Sequence, residues 1–147
     1  MKIINRKARF NYELLDRFET GIVLTGAEVK SAKAGHVSLA QAHVRLMGGE
    51  LFLINATISP YKFAGNQDEQ EPNRIRKLLM HKSELLSLTK KMESSNLTLA
   101  PTAMYTKHHK VKVEIALARG KKQHQKKQKI KEQDLDREAQ KILKTIT

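Results

Sequence analysis

Val111-Lys112-Val113-Glu114-Ile115-Ala116-Leu117 alternates apolar side chains with a lysine, a glutamate and an alanine. A period of two is the mark of a strand with one buried face, and it sets the reading of the chain as mainly β. Just upstream, residues 97–105 are rich in Thr and Leu and end on an aromatic ring. Thr106-Lys107-His108-His109-Lys110 then supplies a hairpin link, in which His tolerates a positive φ better than most residues. Further back, Gly48-Gly49 separates residues 42–47 from 51–58, which gives a second hairpin. Residues 18–24 add another strand, with Gly21 expected at a bulge or bend.

The helices announce themselves by their ends. Thr25-Gly26-Ala27-Glu28 has the form of a capping box, with Thr25 as N-cap, and Gly35 stands where a left-handed C-cap belongs. A second helix is predicted over 81–93, with Leu85, Leu88 and Met92 on one face. Residues 66–73 are acidic, contain Pro72 and read as a loop. Short antiparallel strands with two or three short helices, all within residues 1–118, fit a small closed antiparallel β-barrel of OB type. Closure would leave no exposed sheet edge at this size.

Charge divides the chain into two parts. Its 147 residues include 28 Lys and Arg against 15 Asp and Glu, a net charge of +13. Residues 119–147 hold 10 of those basic residues but only 4 of the acidic ones, and 119–131 carry no acid at all. Such a block repels itself and has little apolar surface to bury. Residues 1–118 are therefore expected to form the folded body, and 119–147 a basic tail disordered when free. Beyond the block, Leu135, Ala139, Ile142, Leu143 and Ile146 share one helical face that awaits a surface.

Composition also removes several functional classes. There is no Cys, hence no disulfide, iron–sulfur cluster or Cys-type zinc site. The six His show no metal-ligand spacing such as H-E-x-x-H. Gly120-Lys121 is not a phosphate loop, because Ile115 stands where the first Gly is needed and Lys122 where Ser or Thr is needed. Ser31, Ser38 and Ser59 have no nucleophile-elbow setting. No catalytic residue, metal or cofactor is expected. No uninterrupted apolar run exceeds 4 residues, against the roughly 18 that a membrane span needs. The terminal amphipathic face carries no aromatic ring, which argues against a membrane surface. Phosphate neutralisation accounts for the basic excess, so a cytoplasmic RNA-binding protein is the expectation.

Six short strings sharpen it. Asn5-Arg6-Lys7-Ala8, Phe18-Glu19-Thr20-Gly21, Gly26-Ala27-Glu28-Val29-Lys30-Ser31, Ile58-Ser59-Pro60-Tyr61, Arg74-Ile75-Arg76-Lys77-Leu78-Leu79 and Leu117-Ala118-Arg119-Gly120-Lys121-Lys122 occur in this order at ordinary loop spacings. The chain thereby resembles the SsrA-binding protein family, small protein B (SmpB), over residues 5–131 and loosely beyond. That resemblance implies an OB-type body bound to the tRNA-like domain of transfer-messenger RNA, as a monomer in complex with it. It also implies a C-terminal tail that enters the empty messenger channel and decoding centre of the ribosomal small subunit during trans-translation.

By the same resemblance, Asn5, Arg6, Lys7, Glu19 and Leu79 match RNA-binding positions. Gly120, Lys121, Lys122, His124, Lys126 and Lys127 match positions of the decoding region and messenger channel. Leu79 can equally be read as core. Glu28 is set aside, because its capping box accounts for it. Gln125 stands where the family usually has an acid and His81 where it often has Asn, so the role of His81 stays open.

Overall fold

The alternating stretch around Ile115 is the middle of a long strand in a mainly β, antiparallel fold, whose described elements include three helices. A computed structural model describes residues 1–63, 70–121 and 137. In chain order the elements are β1 (Lys2–Ile4), α1 (Arg6–Asn11), β2 (Tyr12–Ile22), α2 (Gly26–Lys33), β3 (Val37–Ser38) and β4 (His43–Met47). They continue with β5 (Glu50–Ile54), β6 (Thr57–Ile58), β7 (Arg76–Leu79), α3 (Lys82–Ser95), β8 (Thr98–Lys107) and β9 (Lys110–Gly120). One seven-stranded sheet runs β1-β8-β9-β2-β7-β5-β4, and β3 pairs with β6 in a separate ribbon.

Val111, Val113, Ile115 and Leu117 point into the main core with Leu51, Leu53, Leu88 and Met104. Each such side chain contributes about 1.5–3 kcal/mol by leaving water. Ala116 and Ala118 on the other face of β9 are also fully buried. Ala118 meets Ala8 and Ala100 in a second, smaller cluster. Small side chains there let α1 lie close against the sheet, which is why a face that periodicity assigns to solvent is covered.

The expected barrel is not closed by hydrogen bonds. The sheet curls far enough for its edge strand β4 to lie beside β8, yet among the described residues no ladder joins them. Residues 51–58, expected as one strand, break at Asn55, whose φ is 60°. The chain turns there, and β6 leaves the main sheet for β3.

Two bulges supply curvature, and neither is at Gly21. In β2 the register shifts between Leu14 and Arg17, so Leu15 and Asp16 together face Leu117. In β8 it shifts between Pro101 and Ala103. Pro101 has no N–H to give a ladder, and a bulge is where a sheet tolerates that. Gly21 pairs in register with both Lys112 and Leu79. What it provides is space, since a Cβ placed on it would lie 3.4 Å from that of Leu79.

The helix ends follow their sequence signals. Thr25 Oγ1 accepts from the Glu28 amide at 3.2 Å while Glu28 Oε1 accepts from the Thr25 amide at 2.9 Å, and Gly35 takes φ 84°. Helix α3 buries Leu88 and packs Leu85 and Met92 against the core, as its spacing predicts. In the β8–β9 hairpin, Lys107 pairs with Lys110 across a two-residue turn, and His108 and His109 adopt φ 51° and 66°. Holding an L residue in that region costs about 1–2 kcal/mol. The loop expected over 66–73 is irregular over 70–73, and its remainder lies outside the described residues.

Candidate nucleic-acid interface

Strands β2, β7 and β9 and the start of α3 enclose a cleft of about 820 Å³ lined by Arg17, Glu19, Gly21, Leu79, His81 and Lys112, among others. Glu19 and Leu79, 60 positions apart in the chain, thus face one opening. Leu79 is 49% exposed, which removes its reading as core. It stands over the bare backbone of Gly21 as an apolar surface open to a ligand. His81 is the N-cap residue of α3 but makes no side-chain capping bond, and it lines the same cleft.

Glu19 is held from across the sheet. Its Oε2 accepts from the Tyr105 hydroxyl at 2.5 Å and lies 3.4 Å from Lys107 Nζ. The Tyr105 bond, with help from Lys107, outweighs desolvation and keeps this carboxyl below its ordinary range. Burial and the neighbouring carboxylate push the Tyr105 hydroxyl up, so it stays a donor. An ionised, oriented carboxylate can accept from base amino groups and ribose hydroxyls, the donors that RNA displays. Tyr105 and Lys107 escape sequence reading because they reach Glu19 across the intervening strand β9. Local spacing carries no trace of that.

Asn5, Arg6 and Lys7 lie apart from this cleft. Asn5 is 5% exposed and caps α1: its Oδ1 accepts from the Ala8 amide at 3.1 Å, and its Nδ2 donates to the Pro101 carbonyl at 2.8 Å. Its side chain is therefore committed to the fold, where it fixes the exposed Arg6 and Lys7 on the first turn. Lys7 borders a second cleft of about 500 Å³ that also holds Asn11, Gln41, His43 and Arg45. We expect Asn5→Ala to lower stability by about 1–3 kcal/mol, as for a buried polar partner lost, in chemical denaturation. A change below about 0.5 kcal/mol would show that water replaces both bonds at no loss.

Between α2 and β7 is a feature that the capping reading of Glu28 missed. Arg76 is fully buried, and its Nε and Nη2 meet Glu28 Oε2 at 2.7 and 2.6 Å. Its remaining donors go to the carbonyls of Ala56, Arg74 and Pro72. Arg74 Nη2 adds a contact to Glu28 Oε1 at 2.6 Å. Burial disfavours the Glu28 carboxylate, but Arg74, the Thr25 amide and Arg76 more than compensate and hold its pKa below the ordinary value. The pair ties α2 to β7 and so sets where Leu79 emerges.

At the chain's basic end, β9 runs through Gly120, two residues past the expected boundary. Lys121 is fastened to the body: its N–H donates to the Asn11 carbonyl and its Nζ to the Arg9 carbonyl, both at 3.1 Å. Lys122, His124, Lys126 and Lys127 lie outside the described residues, as does the amphipathic face expected over 135–146. Among the described residues no group of three His, Asp or Glu could hold a metal ion, and no helix is long and apolar enough to cross a membrane.

An antiparallel sheet that presents polar clefts rimmed by lysines and arginines defines a small binding protein of the β class. Comparison with known proteins gives the rest. The family model described as SmpB protein matches residues 2–145, and the chain belongs to that family. It is 49% identical over 140 residues to the SsrA-binding protein of Trichormus variabilis, covering 95% of this chain and 90% of that one. To the SsrA-binding protein of Syntrophotalea carbinolica it is 46% identical over 146 residues, covering 98% and 97%. Among solved structures, a chain described as "tmRNA-SmpB: a journey to the center of the bacterial ribosome" matches with a TM-score of 0.67 and 45% identity. That match covers 83% of this chain and 85% of the other.

Proposed function

We propose that this protein binds the tRNA-like domain of transfer-messenger RNA and delivers it to stalled ribosomes, where trans-translation tags the nascent peptide. The chemistry is non-enzymatic: the protein supplies binding and placement, and the ribosome transfers the peptide. The observation that carries this reading is the Glu19–Leu79 cleft, where an oriented carboxylate and an exposed leucine line one opening together with Arg17, Lys110 and Lys112. Family membership supports it. Arg6 and Lys7, set on a turn by Asn5, neutralise further phosphates. The body acts as an OB-type barrel closed by packing of β4 on β8, and works as a monomer in complex with its RNA in the cytoplasm.

The tail beyond Lys121 is a partner-dependent segment that enters the empty messenger channel and folds there as a helix. Gly120 and Lys121 lead it off the body. Lys122, Lys126 and Lys127 track ribosomal RNA phosphates, and His124 offers a flat ring on which a decoding-centre base can stack.

The test is Glu19→Ala. Losing a hydrogen bond to a charged group costs roughly 1.5–3 kcal/mol, so RNA affinity should fall by about 10- to 150-fold in a filter-binding titration. Thermal unfolding should barely move, because Glu19 is exposed. Tighter binding by the mutant would mean that Glu19 is only a repulsive surface charge.

A further inference from the structure

We propose that the tip of the β8–β9 hairpin, Lys107-His108-His109-Lys110, is an RNA-backbone grip at the mouth of the Glu19–Leu79 cleft. This rests on the RNA-binding reading above and adds residues that neither the sequence strings nor the family match assigns. The first observation is backbone conformation. His108 and His109 are consecutive residues with positive φ in a two-residue hairpin loop, where Asn-Gly satisfies the same geometry with far less strain. Backbone strain kept where a cheaper pair exists points to work done by the side chains.

The second observation is placement. All four tip residues are exposed, and His109 and Lys110 line the cleft together with Lys112 and Arg17. The carboxylates Glu19 and Glu114 on this face are each met by a cation of the same sheet, at Lys107 and Arg17. Glu84 is the acid on the α3 wall. The tip thus projects net positive charge beside the cleft, and its sequence carries no apolar side chain that would suit a protein groove or a lipid surface. Lysines supply point charges to phosphates, whereas an imidazole adds a planar face for an unstacked base or a ribose edge. That combination fits a single-stranded or looped segment of RNA passing over the hairpin.

The test uses the full-length chain carrying H108N together with H109G, and a transcript of the tRNA-like domain as ligand. Turn type is preserved and strain relieved, so the melting temperature should rise by about 3 °C or more. Affinity should fall at least tenfold, while the slope of log K against log salt stays as in the wild type, because the groups lost are planar faces and not cations. K110Q, which leaves the strained pair alone, should weaken binding at least threefold and make that slope shallower by about 1, as one phosphate contact is lost. Unchanged affinity in both variants and an unchanged slope in K110Q would overturn the proposal and leave the tip a plain turn. If the wild-type chain fails to bind the transcript, the reading of the cleft falls first and this one with it.

Discussion

Replacing Arg76 with Leu lowers the unfolding free energy by about 3–5 kcal/mol, the expected result of removing one partner from a buried ion pair. The guanidinium is fully buried and donates to Glu28 and to three carbonyls. Leucine fills most of its volume but leaves those acceptors without their donor. Arg74 and the Thr25 amide stay on Glu28 and soften the loss without cancelling it. The effect also has a pH signature. Because the Glu28 pKa lies below its ordinary value of 4.5, its contribution is complete above that pH and is lost as pH falls below it through the folded-state value. Urea denaturation at pH 7 and again near pH 3 should therefore show a larger acid loss in the wild type than in Arg76→Leu. A mutant that loses less than about 1 kcal/mol at pH 7 would mean that the pair's desolvation has nearly cancelled its attraction.

Ending the chain after Lys121 should abolish tagging on stalled ribosomes while leaving RNA binding by the body within a few-fold of wild type. Charge patterning alone would put the cut at Ala118. The structure moves it, because Gly120 pairs with Tyr12, Arg119 pairs with Glu13, and Lys121 is bonded to Asn11 and Arg9. A cut at Ala118 strips the last turns of the β2–β9 ladder and confuses lost tail function with a loosened body. The measurement pairs RNA titration with single-turnover peptide transfer on ribosomes carrying truncated message. A 100-fold loss of RNA affinity in the truncated chain, about 2.8 kcal/mol, would end the division of labour between body and tail.

Features that depend on near neighbours were open to reading from the sequence. The β9 strand, the Thr25–Glu28 capping box, the Gly35 C-cap, the apolar face of α3 and the two-histidine turn all rest on residues within a few positions of one another. Their physics is periodicity, capping and backbone sterics, so the local string contains it. Helix α1 was not legible, because six residues without an apolar stripe become a helix only when Ala8 packs against Ala100 and Ala118.

The site itself was decided by tertiary structure. Asn5 meets Pro101 across 96 positions, Glu19 meets Tyr105 across 86, and Glu28 meets Arg76 across 48. The sequence strings supplied Glu19 and Leu79 as candidates, but only the sheet order, with β2 between β9 and β7, put them in one cleft. The same order exposes Leu79, commits Asn5 to the fold and makes Glu28, still a cap, half of a buried pair as well. Each outcome depends on which side chains a curled sheet brings face to face, and that is set by the pairing of distant strands rather than by any residue's neighbours in the chain.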